Sequence, residues 1–379
     1  MTNDPIYLDH NATTPLLPEV VDAMLPYLRE HFGNPSSGHV YGARARAAVA
    51  RAREQVAALL GCDADEIVFT SGGTEANNLA IRGVTEALER KSRVVTTVIE
   101  HPATARPCAW LEKHKHRVTR IGVDGEGRAS VDAAREAIDG DTALVTVMHS
   151  NNETGVLQPV LELAGLAHAA GALIHTDAAQ SLGKVPVRVG ELDVDLLSVA
   201  GHKLYAPKGV GALYVKRGTP LVPFALGASH ERGLRPGTEN VASIVGLGAA
   251  CEAMGRDLTS ASARMKRLRD LLWDRLASGV AGLALNGHRE LRLPNTLNVR
   301  FPSVSGTAVL EGAPDVAAST GSACHEGQES ASAVILAMGV APQEALGSVR
   351  LTLGRSTTEG EVVRAADALV RSWRRLVGE

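Results

Sequence analysis

Aromatic side chains are scarce: Phe, Trp and Tyr together make up 3% of the 379 residues. A core must therefore be filled by Ala, Val, Leu and Ile, and the 45% apolar content is enough for a sizeable one. Cysteine is scarcer still. The four present, Cys62, Cys108, Cys251 and Cys324, form no Cys-x-x-Cys pair, which excludes a disulfide scaffold and points to free thiols in a reducing compartment. Neither sign of charge is in excess. Lys plus Arg number 39 against 42 Asp plus Glu, a formal charge of −3, so no nucleic-acid or anionic-membrane binding is expected. No stretch of roughly 18 uncharged apolar residues occurs, so no membrane-spanning helix is expected. The opening Met1-Thr2-Asn3-Asp4-Pro5 lacks a basic region followed by an apolar run, so no secretory signal is expected and the cytoplasm is the expected location.

What is present is alternation. Short apolar runs read as buried strands over Ile67–Thr70, Val94–Ile99, Ala143–His149, Ala172–Thr176, Val194–Ala200 and Gly211–Val215. Helical patterns lie between them, among them Glu75–Glu89 and Leu161–Ala170, the latter stopped by Gly171. This predicts an α/β fold with a mostly parallel, covered central sheet. After about Cys251 the texture changes to a charged helix over Asp257–Leu276. Strands at Pro294–Phe301 and Val349–Leu353 and a last helix over Thr358–Val377 follow. A large domain of residues 15–255 is expected, with a smaller α+β domain built from 1–14 and 256–379.

Ligands in parallel sheets bind beyond the carboxyl ends of strands, and three polar segments fall there. Thr70-Ser71-Gly72-Gly73-Thr74-Glu75 joins a strand to a helix, where small residues and free N–H groups suit a phosphate. A plain strand-to-helix turn explains it about as well. Asp177 follows an apolar strand and is placed to pair with a protonated ring nitrogen, although a solvated loop Asp is commoner. Lys203, 26 residues beyond Asp177, sits in Ala200-Gly201-His202-Lys203. A partly desolvated amine there loses its proton readily and can form a Schiff base, whereas most lysines are simply on the surface. Phosphate turn, acid and amine in that order are the fixtures of pyridoxal phosphate binding. His101, in Glu100-His101-Pro102-Ala103, and Asn151-Asn152-Glu153-Thr154-Gly155 lie at further strand ends.

With these segments in hand the chain resembles the cysteine desulfurases, pyridoxal phosphate enzymes of fold type I and the class V aminotransferase-like group, of the iron–sulfur assembly type. The resemblance runs from Tyr7-Leu8-Asp9-His10-Asn11-Ala12-Thr13-Thr14-Pro15 to the last helix. It adds Asp177-Ala178-Ala179-Gln180, Arg235-Pro236-Gly237-Thr238-Glu239-Asn240, Gly321-Ser322-Ala323-Cys324 and Val349-Arg350-Leu351-Thr352-Leu353-Gly354-Arg355.

The resemblance implies these roles. Lys203 holds the cofactor as a Schiff base, Asp177 holds the pyridine nitrogen, and His101 stacks on the ring and relays protons. Asn152 and Gln180 contact the ring or its phenolic oxygen. Gly73, Thr74 and His202 bind the phosphate, and Thr238 reaches the phosphate of a neighbouring subunit in a homodimer. Arg350 grips the carboxylate of L-cysteine, with Asn11 and Asn152 nearby. Cys324, set among small polar residues, takes the sulfur as a persulfide and passes it to an acceptor protein. The acceptor pathways are iron–sulfur cluster assembly or thiolation of tRNA, DNA or a metabolite. No structural metal site is implied, Cys324 being at most a transient iron–sulfur ligand. Ala200 stands where the family usually has Ser. The rival readings are a selenocysteine lyase, a class V aminotransferase in which Cys324 is incidental, and a non-catalytic sulfur carrier. The intact Lys203, Asp177, His101 and Cys324 argue against the last.

Overall fold

The computed structural model describes residues 4–88, 91–321 and 330–379. The expected nucleophile Cys324 lies outside the described residues. The strands are β1 (Ile6–Tyr7), β2 (Ile67–Thr70), β3 (Arg93–Thr97), β4 (Arg117–Ile121), β5 (Thr142–Met148), β6 (Leu173–Asp177), β7 (Leu196–Ala200), β8 (Gly211–Val215), β9 (Ala284–Leu285), β10 (Thr296–Arg300), β11 (Val316–Ala317) and β12 (Ser348–Thr352).

Seven strands form the main sheet in the order β2-β8-β7-β6-β5-β3-β4. β8 runs antiparallel to both β2 and β7, and the remaining pairings are parallel. Strands buried on both faces must be apolar throughout, and β2, β5, β7 and β8 are buried at every position. Side chains alternate between two cores. Phe69, Val145, Val147, Ile174, Leu197 and Val199 face one, which the helices Val40–Leu60, Val160–Ala169 and the first part of Val241–Gly279 close. Val68, Val94, Leu144, Leu196 and Leu213 face the other, covered by the helices Gly73–Ala87 and Pro102–Lys113.

A third core lies around the three-stranded sheet β12-β10-β9. It gathers Leu8, Leu268, Leu272, Leu276, Val299, Leu351, Leu369 and Trp373. The helix Glu359–Val377 enters it behind a capping box, Thr358 with Glu361. The charged helix expected from Asp257 does start there: Asp257 is non-helical (φ −138°, ψ 22°) and marks a kink at which a preceding helix from Val241 joins it, the two together spanning Val241–Gly279. Its first part buries Ile244, Leu247, Cys251 and Met254 in the main core. Beyond the kink, Met265 is buried and Leu268, Leu272 and Leu276 enter the third core. That crossing explains the change of texture near Cys251.

Candidate active site

Because β2, β3, β5, β6 and β7 all point the same way, their carboxyl ends meet along one edge of the sheet. A pocket opens there. It is lined by Gly73, Thr74, His101, Ala103, Met148, Ser150, Asn152, Asp177, Ala179, Gln180, Ala200, His202 and Lys203. Eight of the nine expected cofactor-binding residues are therefore brought together. The ninth, Thr238, lies exposed on the loop before Val241, outside this pocket.

The phosphate turn is set by close backbone approach. Gly72 has φ +147°, which a side chain rarely tolerates, and a Cβ on Gly211 of β8 would lie 2.7 Å from the Gly72 Cα. The helix Gly73–Ala87 begins there, so the N–H groups of Gly73 and Thr74 belong to a first turn with no intrahelical acceptors. Glu75 Oε2 accepts from the Ser71 N–H at 2.6 Å, and Glu75 Oε1 accepts from Arg235 Nε at 2.8 Å. The hydrogen bonds from Arg235 and Ser71 outweigh burial and hold the Glu75 carboxyl below its ordinary range. A Cβ on Gly73 would meet the Ala200 Cβ at 3.2 Å, so Ala200 borders the helix start, where the usual Ser hydroxyl would sit.

Asp177 is the last residue of β6 rather than a loop residue beyond it. Its two carboxylate oxygens are held separately. Oδ2 accepts from Asn77 Nδ2 at 2.7 Å and Oδ1 from the Ala179 N–H at 2.9 Å. Asn77 is fully buried on the helix Gly73–Ala87 and also donates to Thr104 Oγ1 at 3.2 Å. Nothing in the polar motifs points to Asn77. The available signal is its phase: it falls on the helix face that carries Ala76, Ala80 and Val84.

His101 caps the helix Pro102–Lys113, its Nδ1 accepting from the Ala103 N–H at 3.1 Å. The neutral ring therefore carries its proton on Nε2. Burial, with Lys203 adding to it, lowers the His101 pKa, and Asp177 opposes.

Lys203 ends the single turn Gly201–Lys203 after β7. Its Nζ donates to the backbone carbonyl of Asn11. Burial, then the Arg350 charge, push its pKa from 10.5 down to about 8, against the pull of Asp177 and Asp9. The neighbouring His202 ring accepts or donates at Thr13 Oγ1, 3.2 Å away. Burial and the charges of Lys203, Lys208 and Lys184 push it down to about 4.

Arg350 lies in the middle of β12 and is 7% exposed. One Nη donates to Asp9 Oδ1 at 2.7 Å and the other to the Asn152 carbonyl at 3.1 Å, while its buried Nε has no partner. Asn11 Nδ2 donates to Thr296 Oγ1 at 2.9 Å and to the same Asn152 carbonyl at 3.3 Å. Asp9 and the buried Lys184, neither of them among the expected site residues, complete this side.

The donor set fits pyridoxal 5'-phosphate. A helix start with His202 could take a phosphate, the Lys203 amine an aldehyde and the Asp177 carboxylate a protonated ring nitrogen, and the Arg350 guanidinium suits a substrate carboxylate.

Comparison with known proteins agrees. Residues 6–364 match the aminotransferase class-V family model. A cysteine desulfurase of Gluconacetobacter diazotrophicus is 46% identical over 368 residues, covering 96% of this chain and 92% of the relative. Cysteine desulfurase of Mus musculus is 42% identical, covering 98% of this chain and 82% of the relative. Among solved structures, a NifS-like protein superposes with a TM-score of 0.90 at 35% identity, covering 99% of both chains. SspA in complex with cysteine gives 0.83 at 34% identity, covering 93% of this chain and 99% of that one. This chain belongs to the class V aminotransferase family, and within it to the pyridoxal phosphate-dependent cysteine desulfurases.

Proposed function

We propose that the enzyme converts L-cysteine to L-alanine and leaves the substrate sulfur on Cys324 as a persulfide. The substrate Cβ–S bond breaks and a bond to the Cys324 sulfur forms. L-cysteine plus the Cys324 thiol thus gives L-alanine plus the persulfide, with no outside oxidant or reductant. The observation that carries the reading is the meeting of Lys203, Asp177 and His101 in one pocket with the start of the helix Gly73–Ala87.

When bound, pyridoxal phosphate supplies an electron sink for carbanion chemistry at the substrate. The chain's own groups do the rest. Gly73, Thr74 and His202 hold the phosphate. Asp177, kept in place by Asn77 and Ala179, would pair with the ring nitrogen. Lys203, with its pKa near 8, has a free-base share at neutral pH raised by about two orders of magnitude. It serves both as the attachment point and as a proton carrier at Nζ. His101 offers its Nε2 proton to the same space, and Gln180 and Asn152 border it. Arg350 and Asn11 receive the substrate carboxylate, Arg350 re-sharing a guanidinium that Asp9 otherwise occupies.

In this reading residues 15–255 carry the cofactor, and residues 1–14 with 256–379 carry the sulfur-accepting Cys324. The working unit is a cytoplasmic homodimer in which Thr238 serves the neighbouring site. Exposed apolar side chains support a covered face there. Leu226 is 93% exposed and Phe32 80% exposed, and the segments following them, at Pro35–Ser36 and Ala228–Glu231, line one shared cavity with Glu239. The persulfide passes to an acceptor protein of iron–sulfur assembly or of tRNA, DNA or metabolite thiolation. No helix among the described residues is long and apolar enough to cross a membrane.

The test is stoichiometry. With L-cysteine and a thiol reductant, alanine and sulfide form in equal amounts. Lys203→Ala abolishes both and removes the visible absorbance of the bound cofactor. A reducible cofactor link surviving in that variant contradicts the assignment of Lys203.

A further inference from the structure

Lys184 is a lysine in the wrong place. It follows β6 on the turn after Gln180 and is only 4% exposed. Burial lowers its pKa well below the ordinary lysine value, and the charges that bear on it, Lys203 and Arg350, are both cationic. Its Nζ donates to Asn11 Oδ1 at 3.1 Å and to Gln180 Oε1 at 3.0 Å. Both partners are amide oxygens and neither is a carboxylate. A buried amine so poorly compensated is costly, and a methionine of similar volume would fill the space at less cost. The sequence Leu182-Gly183-Lys184-Val185-Pro186 carries no sign of this burial.

A lysine head can only donate. Its two contacts therefore decide which way two amides face. With Oε1 turned to Lys184, Gln180 must present Nε2 to the Asn11 backbone carbonyl, 2.9 Å away. With Oδ1 turned to Lys184 and to Asn295 Nδ2 at 3.2 Å, Asn11 must present Nδ2 to Thr296 and Asn152. The Asn11 carbonyl so fixed is the one that accepts from Lys203 Nζ. If Gln180 turned over, two carbonyl oxygens would face each other at that point.

Resting on the function proposed above, we infer that Lys184 is a positioning residue that locks the amides of Gln180 and Asn11 and thereby holds the Asn11 carbonyl against Lys203. It acts through Gln180 and Asn11, and it is not among the residues that line the pocket.

The test is a double-mutant cycle on the full chain with Lys184→Met, Gln180→Met and the pair. Three quantities are read: the rate at which an amine-reactive reagent labels Lys203 in the cofactor-free protein, the Kd for pyridoxal 5'-phosphate, and the Tm. Loss of one buried hydrogen bond on the path to Lys203 is expected to change the labelling rate and the Kd by roughly tenfold in each single variant. The double variant is expected to lose clearly less than the product of the two single losses, because the singles share the Lys184–Gln180 contact. Wild-type labelling and Kd in Lys184→Met, or losses that multiply in the pair, overturn the inference, whatever the Tm does. If Lys184→Met does not fold, Lys184→Gln, whose shorter side chain does not span both oxygens, is read in its place by the same criteria. A wild-type protein that fails to bind the cofactor would overturn the proposed function instead, and the labelling arm would still decide on Lys184.

Discussion

Asn77 Nδ2 donates to Asp177 Oδ2 at 2.7 Å, from a helix that packs across the end of the strand that Asp177 terminates. The pairing ties the helix that begins at Gly73 to the acid proposed to meet the ring nitrogen. A neutral partner orients Asp177 without cancelling its charge, as an arginine would. Asn77→Ala is expected to lower kcat/KM by roughly 10- to 100-fold, the range for one hydrogen bond to a charged group. Asn77→Asp should cost more, because it sets a second carboxylate beside Asp177. Steady-state kinetics with L-cysteine check this, and unchanged kcat/KM in Asn77→Ala contradicts it.

Lys203 makes the cofactor-free protein pH-sensitive. Its folded pKa is about 8 against an ordinary 10.5, lowered first by burial and then by Arg350. Between those values the unfolded chain binds a proton that the folded chain does not, so stability rises with pH through that window. Below pH 8 the charged amine is a standing cost. Lys203→Met apoprotein should therefore be more stable than wild-type apoprotein at pH 7, by up to the order of 3 kcal/mol, and the gap should close toward pH 10. Denaturant melts at the two pH values measure it, and an equal or lower stability at pH 7 contradicts it.

Ala200 borders the start of the helix Gly73–Ala87, its Cβ being the first atom a Cβ on Gly73 would meet. Ala200→Ser places a hydroxyl beside the N–H groups proposed to bind the phosphate. The Kd for pyridoxal 5'-phosphate should fall by about three- to tenfold, the value of one added hydrogen bond. Equilibrium dialysis or absorbance titration reads it, and a weaker Kd contradicts the placing of the phosphate.

Arg350 holds Asp9 with one Nη and the Asn152 carbonyl with the other. A lysine cannot reproduce that fork. Arg350→Lys should raise the KM for L-cysteine at least about tenfold while kcat changes less. A KM that stays put removes Arg350 from carboxylate binding.

Much of this fold is legible in the chain. Ile67–Thr70 and Gly211–Val215 are marked because each holds a short apolar run, the first set between Glu66 and Ser71 and the second between the Lys208-Gly209 turn and Lys216. β4 escapes the same reading. Its residues, Arg-Val-Thr-Arg-Ile, form an edge strand whose two arginines are exposed, so no apolar run announces it. Site residues that lie in glycine- or proline-flanked polar motifs after strands, such as Thr74, His101 and Lys203, are legible too. Asn77 and Lys184 are not. Each orients other side chains, and that depends on a partner 100 residues away for Asn77 and, besides the near Gln180, one 173 residues away for Lys184. No local pattern encodes such a distance.

The central claim is that sulfur leaves L-cysteine for Cys324. The most direct measurement is peptide mass spectrometry of the holoenzyme after brief exposure to L-cysteine without reductant, beside an alanine assay of Cys324→Ser. One added sulfur is expected on the peptide bearing Cys324 and none on those bearing Cys62, Cys108 or Cys251. The latter two thiols are buried, and burial pushes all three up to about 12. Cys324→Ser should keep the bound cofactor and release no sulfide, since a hydroxyl is a poor nucleophile toward sulfur at neutral pH. Alanine and sulfide formed by Cys324→Ser at the wild-type rate, or the added sulfur appearing on another cysteine, would contradict it.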